Sequence, residues 1–439
     1  MSLIGQVKTR FFYPIAEFQS GRKITDKVRI MEQIRRLTSS ERTARKLKQL
    51  HRVLSVAQAK VPYYRDLFKE LRFKPDWVLD GADALRQLPF LDKDIIQEQG
   101  DRMLNEDFPR AALHDRKTGG STGISTRIYY DNEALDWTAA VSRYAQTSTG
   151  RAPADLEVLL SSQTLLSGGF KERTRDQLKD LALNRVTLMT HSLSDSDLQA
   201  LWDRLRRLSP FVLQAHPSTV YALALYVQKE KIDARGAIQV FESTGESLDP
   251  YKSQVIAKQL HCRIFNRYGT AEFGVTAESK EDPTQLEVID YIVHHETVSL
   301  GNGLEELVAT TTTNLAMPLI RYRTGDIAEI RSEPERTLIV NLQGRVHDLI
   351  EINGKPYPTH YMKSVLDNAG GVDEFQVLVK KDGTQILQVV LSNPDFLPGI
   401  EKAIHGLSGG ALKVKAVKFD HLVRVGLRDK FRYVVRESK

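Results

Sequence analysis

The chain has 439 residues, 41% hydrophobic and 27% charged, which is the composition of a globular protein with two or three domains and a sizeable core. The net charge of +6 is spread along the chain. It suits an anionic ligand such as a nucleotide or a solvated surface, and it does not favour nucleic acid. The single cysteine, Cys262, excludes an internal disulfide and a cysteine-based zinc site. With no apolar run of membrane-spanning length and no convincing signal peptide, the expected location is the cytoplasm.

The first 110 residues are predicted to be mainly helical. Apolar residues recur there at helical spacing between lysines and arginines, namely Leu47, Leu50, Leu54, Ala57 and Val61. Pro62 then either ends this helix or begins the next segment, because proline has no backbone N–H to donate inside a helix.

From about Ala154, short apolar runs alternate with charged stretches of helical period. The runs are LEVLLSS, RVTLMTHSL, FVLQAHPS, IQVFESTGE and CRIFNRYG. This alternation predicts a parallel sheet with helices on both faces. In such sheets ligands bind at the carboxyl ends of the strands. Polar residues follow three of the runs at that position, in the segments HPS, STGE and NRYGTAE.

The pattern changes again after Gly344. The segment FQVLVKKDGTQILQVVL predicts a hairpin that turns at Asp382-Gly383, NPDFLPGIEKAIHGL predicts a helix, and LKVKAVKF predicts a strand. The predicted class is therefore α/β. A large N-terminal domain, 1–343, has parallel or mixed sheets covered by helices, and a small α+β C-terminal domain spans 344–439.

The segment KTGGSTGIST at 117–126 has almost no side chain to pack. Backbone amides of consecutive small residues can converge on an anion, and serine and threonine hydroxyls add donors. Phosphate binding and a plain surface turn therefore both remain open from this segment alone. Gly123-Ile124-Ser125 stands where a Walker motif requires Gly-Lys-Ser or Gly-Lys-Thr, so a P-loop is disfavoured.

Five further polar segments follow in chain order: FESTGESLDP, FNRYGTAEFG, PLIRYRTGDIAEI, LQGRVHDLIEINGK and GLRDKFRYVV. Together with the glycine-rich loop they resemble the adenylate-forming superfamily from about Leu50 to Glu437. The segments AKVPYYRDLF, LRQLPFLDKDII, RTGD and DKFRYVV make the chain more narrowly similar to the phenylacetate–CoA ligase family and its relatives in capsular polysaccharide loci.

The resemblance implies that ATP and a carboxylic acid form an acyl-adenylate with release of pyrophosphate, and that CoA then takes the acyl group, with an aryl acid favoured. It implies Mg²⁺ held by Glu272, because a hard cation prefers carboxylate oxygen. Lys430 would swing in from a mobile C-terminal domain, stabilise charge in the transition state and share the catalytic role with Thr270 and Glu272. The hinge would be His347 and Asp348.

The resemblance assigns further residues to ATP or AMP. The glycine-rich loop would cradle the β- and γ-phosphates, Ser243, Gly245 and Glu246 would border the adenine, and Arg267 and Tyr268 would wall the base. Asp326 would accept hydrogen bonds from the ribose hydroxyls. The full nucleotide set is Thr118, Gly119, Gly120, Ser121, Thr122, Gly123, Ser243, Gly245, Glu246, Asn266, Arg267, Tyr268, Gly269, Thr270, Asp326 and Arg345.

The acid pocket is implied to include His216 and Gly274. His216 is equally consistent with a helix start capped by Ser218. Singly, Glu246 and Glu272 could also be solvated carboxylates at helix starts, and Asp326 a turn residue.

The chain departs from the family pattern at several positions. Ile124 replaces a common loop lysine, for which Arg127 could substitute; His347 replaces a hinge acid; and Asp429 precedes Lys430 in place of glycine. No cysteine follows the Tyr-Gly motif, so no zinc is expected there.

Two other functions stay open. The acyl group could pass to an amine, a hydroxyl or a carrier protein in polysaccharide or natural-product biosynthesis. The chain could also be a degenerate nucleotide-binding protein, against which the presence of Glu272, Asp326, Arg345 and Lys430 argues. A homodimer is left open.

Overall fold

The computed structural model describes residues 12–117, 126–152, 154–162, 177–190, 192–301, 303–346, 348–357, 359–425 and 430–437. These residues form two compact units. The first unit comprises Met1–Leu156, Lys179–Arg185 and Phe265–Leu342, and the second comprises Glu157–Leu178, Val186–Ile264 and Gln343–Lys439.

The helices are α1 (Tyr13–Gln19), α2 (Ile24–Arg35), α3 (Ser39–Lys60), α4 (Pro62–Glu70), α5 (Lys93–Gln99), α6 (Asn132–Ser148), α7 (Asp195–Leu208), α8 (Pro217–Lys229), α9 (Pro250–Leu260), α10 (Thr359–Ala369) and α11 (Leu397–Ser408). Short 3₁₀ segments connect several of them.

The strands are β1 (His114–Lys117), β2 (Arg127–Tyr130), β3 (Glu157–Ser162), β4 (Arg185–Thr190), β5 (Val212–Ala215), β6 (Val240–Ser243), β7 (Arg263–Thr270), β8 (Gly274–Ser279), β9 (Leu286–Val288), β10 (Val293–Gly301), β11 (Leu304–Thr311), β12 (Tyr322–Ser332), β13 (Thr337–Arg345), β14 (Ile350–Ile352), β15 (Lys355–Tyr357), β16 (Val372–Val379), β17 (Gln385–Leu391), β18 (Leu412–Ala416), β19 (Arg424–Val425), β20 (Lys430–Phe431) and β21 (Val434–Arg436).

The helical character predicted for the N-terminal part is confirmed. Thr38 starts α3 with a capping box in which its hydroxyl and the Glu41 carboxylate satisfy each other's backbone amides. Both alternatives for Pro62 hold, since α3 ends at Lys60 and Pro62 is the first residue of α4. The buried faces of α2, α3, α4 and α6 share one core with β10 and β12.

The sheet of the first unit runs in the order β10-β11-β12-β13-β9-β8-β7. Its β7–β8, β8–β9, β9–β13, β10–β11 and β11–β12 pairs are antiparallel. Predicted site residues of this unit lie in the second half of β7 (266–270), directly after it (Glu272) and near the start of β12 (Asp326).

His295 makes the first unit sensitive to acid. Its ring lies on β10, is 8% exposed, and burial lowers its pKa from 6.5 to about 4. Between these values the unfolded chain binds a proton that the folded protein excludes, so stability falls as the pH drops. We expect His295 to account for a loss of about 3 kcal/mol of unfolding free energy between pH 7 and pH 4.

Urea unfolding at pH 7, 5.5 and 4 measures this loss. His295→Leu should reduce the pH dependence, and the rest should come from the neighbouring His294, whose pKa burial lowers to about 3. The matched His114→Leu, at an exposed position, should leave it unchanged. Equal slopes for the wild type and His295→Leu would show that other groups cause the acid sensitivity.

The second unit contains the strand–helix alternation predicted from about Ala154. Its strands run in the order β6-β5-β3-β4, and the β3–β5 and β5–β6 pairs are parallel, as predicted. Helices α7, α8 and α9 contribute apolar residues to the same core as these strands. Register pairs Ala215 with Ser243, so β5 and β6 end side by side.

The predicted hairpin, helix and strand of the C-terminal region are also confirmed. Strands β16 and β17 pair antiparallel about the turn at Gly383, α11 follows, and β18 joins the sheet in the order β18-β17-β16-β21. These elements, with β14 and α10, enclose a hydrophobic core of their own. The boundary between residues 343 and 344 and the mobility of the C-terminal region stay predictions.

Among the described residues, no helix is both long enough and apolar enough to cross a membrane.

Candidate functional site

A tight corner joins β7 to β8 in the first unit. Gly269 pairs with Val275 and Thr270 with Gly274, and the register shifts between Tyr268 and Gly269. A Cβ at Gly269 would lie 2.5 Å from the carbonyl oxygen of Gly274, and one at Gly274 would lie 2.6 Å from a methyl of Thr138. A larger residue at either position would meet these atoms, so the glycines allow β7 and β8 to approach closely next to Thr270.

Gly269→Ala should therefore destabilise the protein by about 1–3 kcal/mol, because the obstructing atom is backbone and has no rotamer to change. Denaturant unfolding measures the change. Gly81→Ala is the control, since a Cβ there meets no atom within 4 Å. Wild-type stability of Gly269→Ala would contradict the close packing of the corner.

Thr270 and Glu272 supply a hydroxyl and a carboxylate beside this corner. The Thr270 hydroxyl is buried and has no hydrogen-bond partner among the described residues. Glu272 is 9% exposed, and its Oε1 accepts the hydroxyl of Tyr322 at 3.0 Å. The Tyr130 hydroxyl donates to the backbone carbonyls of Ala271 and Glu272 at 2.9 and 2.7 Å. Burial raises the pKa of Tyr130, so it stays a neutral donor and holds this loop.

Asp326 is fixed by a second tyrosine. Its Oδ2 accepts the Tyr268 hydroxyl at 2.8 Å, and its backbone N–H donates to the Thr324 hydroxyl at 3.1 Å. Gly325, between them, has φ +75° and donates its N–H to Glu306. This turn presents an 8% exposed carboxylate in a fixed orientation. The structure thus brings Tyr268 and Asp326 together in the first unit.

Two predicted nucleotide residues, Asn266 and Arg267, also contact protein groups. The Asn266 side-chain amide donates to the Pro283 carbonyl at 2.9 Å, and the Arg267 guanidinium donates to the Ser142 carbonyl at 3.5 Å. Both are buried. These contacts assign each a structural role, and their contact with a nucleotide stays a prediction.

In the second unit, His216, Gly245 and Lys430 lie next to one another. His216 precedes α8, and its Nδ1 lies 2.9 Å from the Thr244 carbonyl, so Nδ1 carries a proton because a carbonyl can only accept. Gly245 has φ +84°, and a Cβ there would lie 2.5 Å from the His216 ring and 3.7 Å from Cε of Lys430. The glycine therefore allows the imidazole and the lysine stem to approach the same turn.

The Glu246 carboxylate connects two backbone segments of the second unit. Its Oε2 accepts the N–H of Ser218 at 3.3 Å, and its Oε1 accepts the N–H of Phe431 at 2.6 Å. The alternative in which Ser218 caps α8 is wrong, because no side chain caps this helix from the N-cap position. A carboxylate at the amino end of a helix also suits the helix dipole.

The remaining predicted residues of the second unit lie near chain turns. The Ser243 hydroxyl at the end of β6 is buried and has no hydrogen-bond partner among the described residues. The Asp348 N–H donates to the Arg345 carbonyl at 2.9 Å, and the Asp348 carboxylate lies 4.0 Å from the guanidinium of Arg432. The glycine-rich loop Thr118–Gly123, the hinge residue His347 and Asp429 lie outside the described residues.

Sequence reasoning missed Tyr130, Tyr322 and the bridging role of Glu246. Tyr322 lies in the segment PLIRYRTGDIAEI, but it is 50 residues from Glu272, and no sequence periodicity predicts a contact over that separation. Tyr130 ends β2, and an aromatic residue in a strand predicts only packing against neighbouring side chains.

The oxygens around the corner fit a magnesium ion bound together with phosphate. The described part of the chain contains no group of three or more histidine, cysteine, aspartate or glutamate side chains placed to hold a metal. Mg²⁺ commonly uses one or two carboxylates plus substrate phosphates, and Glu272 with the unsatisfied Thr270 hydroxyl suits that pattern.

Three curated relatives resemble this chain. Phenylacetate–coenzyme A ligase of Aromatoleum evansii is 26% identical over 374 residues, 80% of this chain and 82% of that protein. Protein CapK of Staphylococcus aureus is 22% identical over 62% of this chain and 59% of its own length. Indoleacetate–lysine synthetase of Pseudomonas savastanoi is 24% identical over 60% of this chain and 64% of its own length. No family model matches the chain.

The fold is that of solved acyl-CoA ligases. A 2-hydroxyisobutyryl-CoA ligase in the postadenylation state, in complex with R3-HIB-AMP, matches with a TM-score of 0.70 at 17% identity, covering 91% of this chain and 90% of that one. The same ligase with 2-HIB-AMP and CoA in the thioesterification state matches with a TM-score of 0.59 at 19% identity, covering 91% of each chain. The chain is thus similar in sequence to the phenylacetate–coenzyme A ligases and to CapK, and it has the fold of solved acyl-CoA ligases.

Proposed function

We propose that this protein activates a carboxylic acid, with an aryl acid favoured, as an acyl-adenylate and then transfers the acyl group to CoA. The observation that carries the proposal is the β7–β8 corner, where the unsatisfied Thr270 hydroxyl, the Glu272 carboxylate and the Tyr268–Asp326 pair occur together. These groups match the parts of a nucleoside triphosphate. A hydroxyl can donate to a phosphate, one carboxylate can hold the magnesium ion that the phosphates bind, and the other can accept the ribose hydroxyls.

Within this corner each group has a distinct task. Asp326 accepts hydrogen bonds from the ribose hydroxyls while Tyr268 holds its Oδ2. Thr270 donates to the α-phosphate, and Tyr322 orients the Glu272 carboxylate that would hold Mg²⁺. When bound, that ion neutralises charge on the phosphates. In the same proposal Arg267 walls the base and Gly274 borders the acid.

The remaining groups of the proposal are assigned by the resemblance to the ligases. Lys430 stabilises the charge that develops when the carboxylate oxygen attacks the α-phosphorus and pyrophosphate leaves. Gly245 and Ser243 border the adenine, His216 borders the acid, and Arg345 contacts ribose and phosphate. The loop Thr118–Gly123 binds the β- and γ-phosphates, and the C-terminal domain turns about His347 and Asp348 between the two half-reactions.

An amine or a hydroxyl is the second candidate for the acceptor of the acyl group. Indoleacetate–lysine synthetase is named for joining an acid to an amine, and CapK links the chain to capsular relatives. Transfer of the acyl group to an amine or hydroxyl in polysaccharide or natural-product biosynthesis therefore remains the alternative to CoA. A degenerate nucleotide-binding protein is the third alternative.

ATP–pyrophosphate exchange with a panel of aryl, fatty and amino acids tests the first half-reaction. Acid-dependent exchange with at least one acid is expected, and its absence across the panel with ATP still bound would support the degenerate protein. Adding CoA and then amines, with mass spectrometry of the products, separates a thioester from an amide. Amide formation without thioester would overturn the CoA assignment.

A further inference from the structure

A lysine that the proposed chemistry does not use is buried inside the second unit. Lys252, in the first turn of α9, is 5% exposed and forms an ion pair with Glu374 of β16, which is 3% exposed. Its ammonium also donates to the Tyr433 hydroxyl at 3.0 Å. Asp249 fixes this turn by accepting the N–H groups of Tyr251 and Lys252. A charge buried to this degree requires such partners.

Three aromatic rings surround the same ammonium. The ring centroids of Tyr221, Phe431 and Tyr433 lie 5.5, 5.4 and 5.1 Å from Nζ, within the range of cation–π attraction. Two of these rings come from the C-terminal segment, and Phe431 directly follows Lys430. Burial alone would lower the pKa of Lys252, but Glu374 and Tyr433 outweigh burial and raise it, so the group is charged at neutral pH.

We propose that Lys252 is a positioning residue that docks the C-terminal segment onto α9 and thereby holds Lys430 at the Gly245 turn for adenylation. The ammonium contacts the rings of Phe431 and Tyr433, and the Glu246 carboxylate accepts the Phe431 N–H at 2.6 Å. The role of this docking in adenylation rests on the proposed function. The docking itself rests only on the contacts of Lys252 described above.

The chemistry of the anchor suits a contact that must form and break. A buried ion pair contributes little net stability compared with a packed apolar pair, yet removing one partner leaves an uncompensated buried charge. Such a pair therefore favours one docked arrangement of the C-terminal segment, and the segment can still separate from α9. If the C-terminal domain turns after adenylation, Lys252 and Glu374 can both return to water.

Hydrogen–deuterium exchange of the full chain tests the docking without using activity. Lys252→Met should raise the exchange rate of the amides of 430–436 at least tenfold, because the Phe431 N–H loses its fixed acceptor when the segment separates. Glu374→Gln, which keeps a hydrogen-bond acceptor, should raise it by a smaller factor. Lys258→Met, at an exposed position of the same helix, should match the wild type. Unchanged exchange in both anchor variants would overturn the proposal.

A comparison of half-reactions tests the positioning role. With an acid that supports exchange in the wild type, Lys252→Met should lower ATP–pyrophosphate exchange at least tenfold. Thioester formation from the preformed acyl-adenylate and CoA should stay within twofold. Equal losses in both half-reactions would overturn the positioning role. If the wild type activates no acid, the proposed function fails while the deuterium-exchange result still decides the docking.

Discussion

Lys430→Ala is expected to lower ATP–pyrophosphate exchange by about 100- to 1,000-fold while ATP still binds. The lysine stem lies beside the Gly245 turn, with Cε 3.7 Å from the position of a Cβ on that glycine. Removing a single preorganised donor to a developing negative charge typically costs about this factor in rate, because the charge grows only in the transition state. Ground-state ATP affinity should therefore change little. Isotopic exchange and a fluorescent nucleotide titration measure the two quantities.

Two variants control this experiment. Lys415→Ala removes an exposed lysine of β18, which lies in a different sheet of the C-terminal region from Lys430, and should behave as the wild type. Lys430→Arg keeps the charge but changes its geometry, and it should recover only part of the rate. Full exchange activity in Lys430→Ala would remove this lysine from the adenylation mechanism, and an equal loss of ATP binding would make it a binding residue.

Asp326→Ala is expected to raise the KM for ATP by about 100-fold, with a smaller effect on kcat. The carboxylate is 8% exposed and held by Tyr268, so it offers preoriented oxygens for the ribose hydroxyls. A hydrogen bond to a charged group contributes about 1.5–3 kcal/mol, so two such bonds at the lower limit, about 3 kcal/mol together, account for a change of roughly 100-fold. Because ribose does not react, ground state and transition state should lose this binding about equally.

Tyr268→Phe separates the two functions of Asp326. This variant removes the hydroxyl that orients the carboxylate and leaves the carboxylate itself, so the KM for ATP should rise only about fivefold, which corresponds to about 1 kcal/mol. The double variant should resemble Asp326→Ala, since the tyrosine would act through the aspartate. Additive effects of the two changes, or a normal KM in Asp326→Ala, would contradict the ribose assignment.

Local pattern was sufficient for most of the secondary structure. The helix through Leu47 and Leu54, the parallel strands β3, β5 and β6, and the hairpin about Gly383 follow from periodicity and turn chemistry, which act over a few residues. The resemblance to phenylacetate–CoA ligases likewise depended on short segments in a fixed order, and the relatives confirm it. The roles of the site residues remain predictions from that order.

The partners of the site residues could not be predicted in this way. Tyr322 meets Glu272 and Tyr268 meets Asp326 across separations of 50 and 58 residues, and Lys252 meets Glu374 across 122. Each contact depends on how distant strands and helices pack, and a side chain's type says little about which distant group it will face.

The amino-acid sequence by itself determined the α/β class, the order of the polar segments at the strand ends and the similarity to acid-activating ligases, because these follow from local propensity and short motifs. Tertiary structure alone decided which hydroxyl orients each carboxylate, that Glu246 joins the start of α8 to Phe431, and that Lys252 is buried among three aromatic rings. The physical reason is that burial and hydrogen-bond pairing are properties of the packed chain, in which groups far apart in sequence compete for the same few partners.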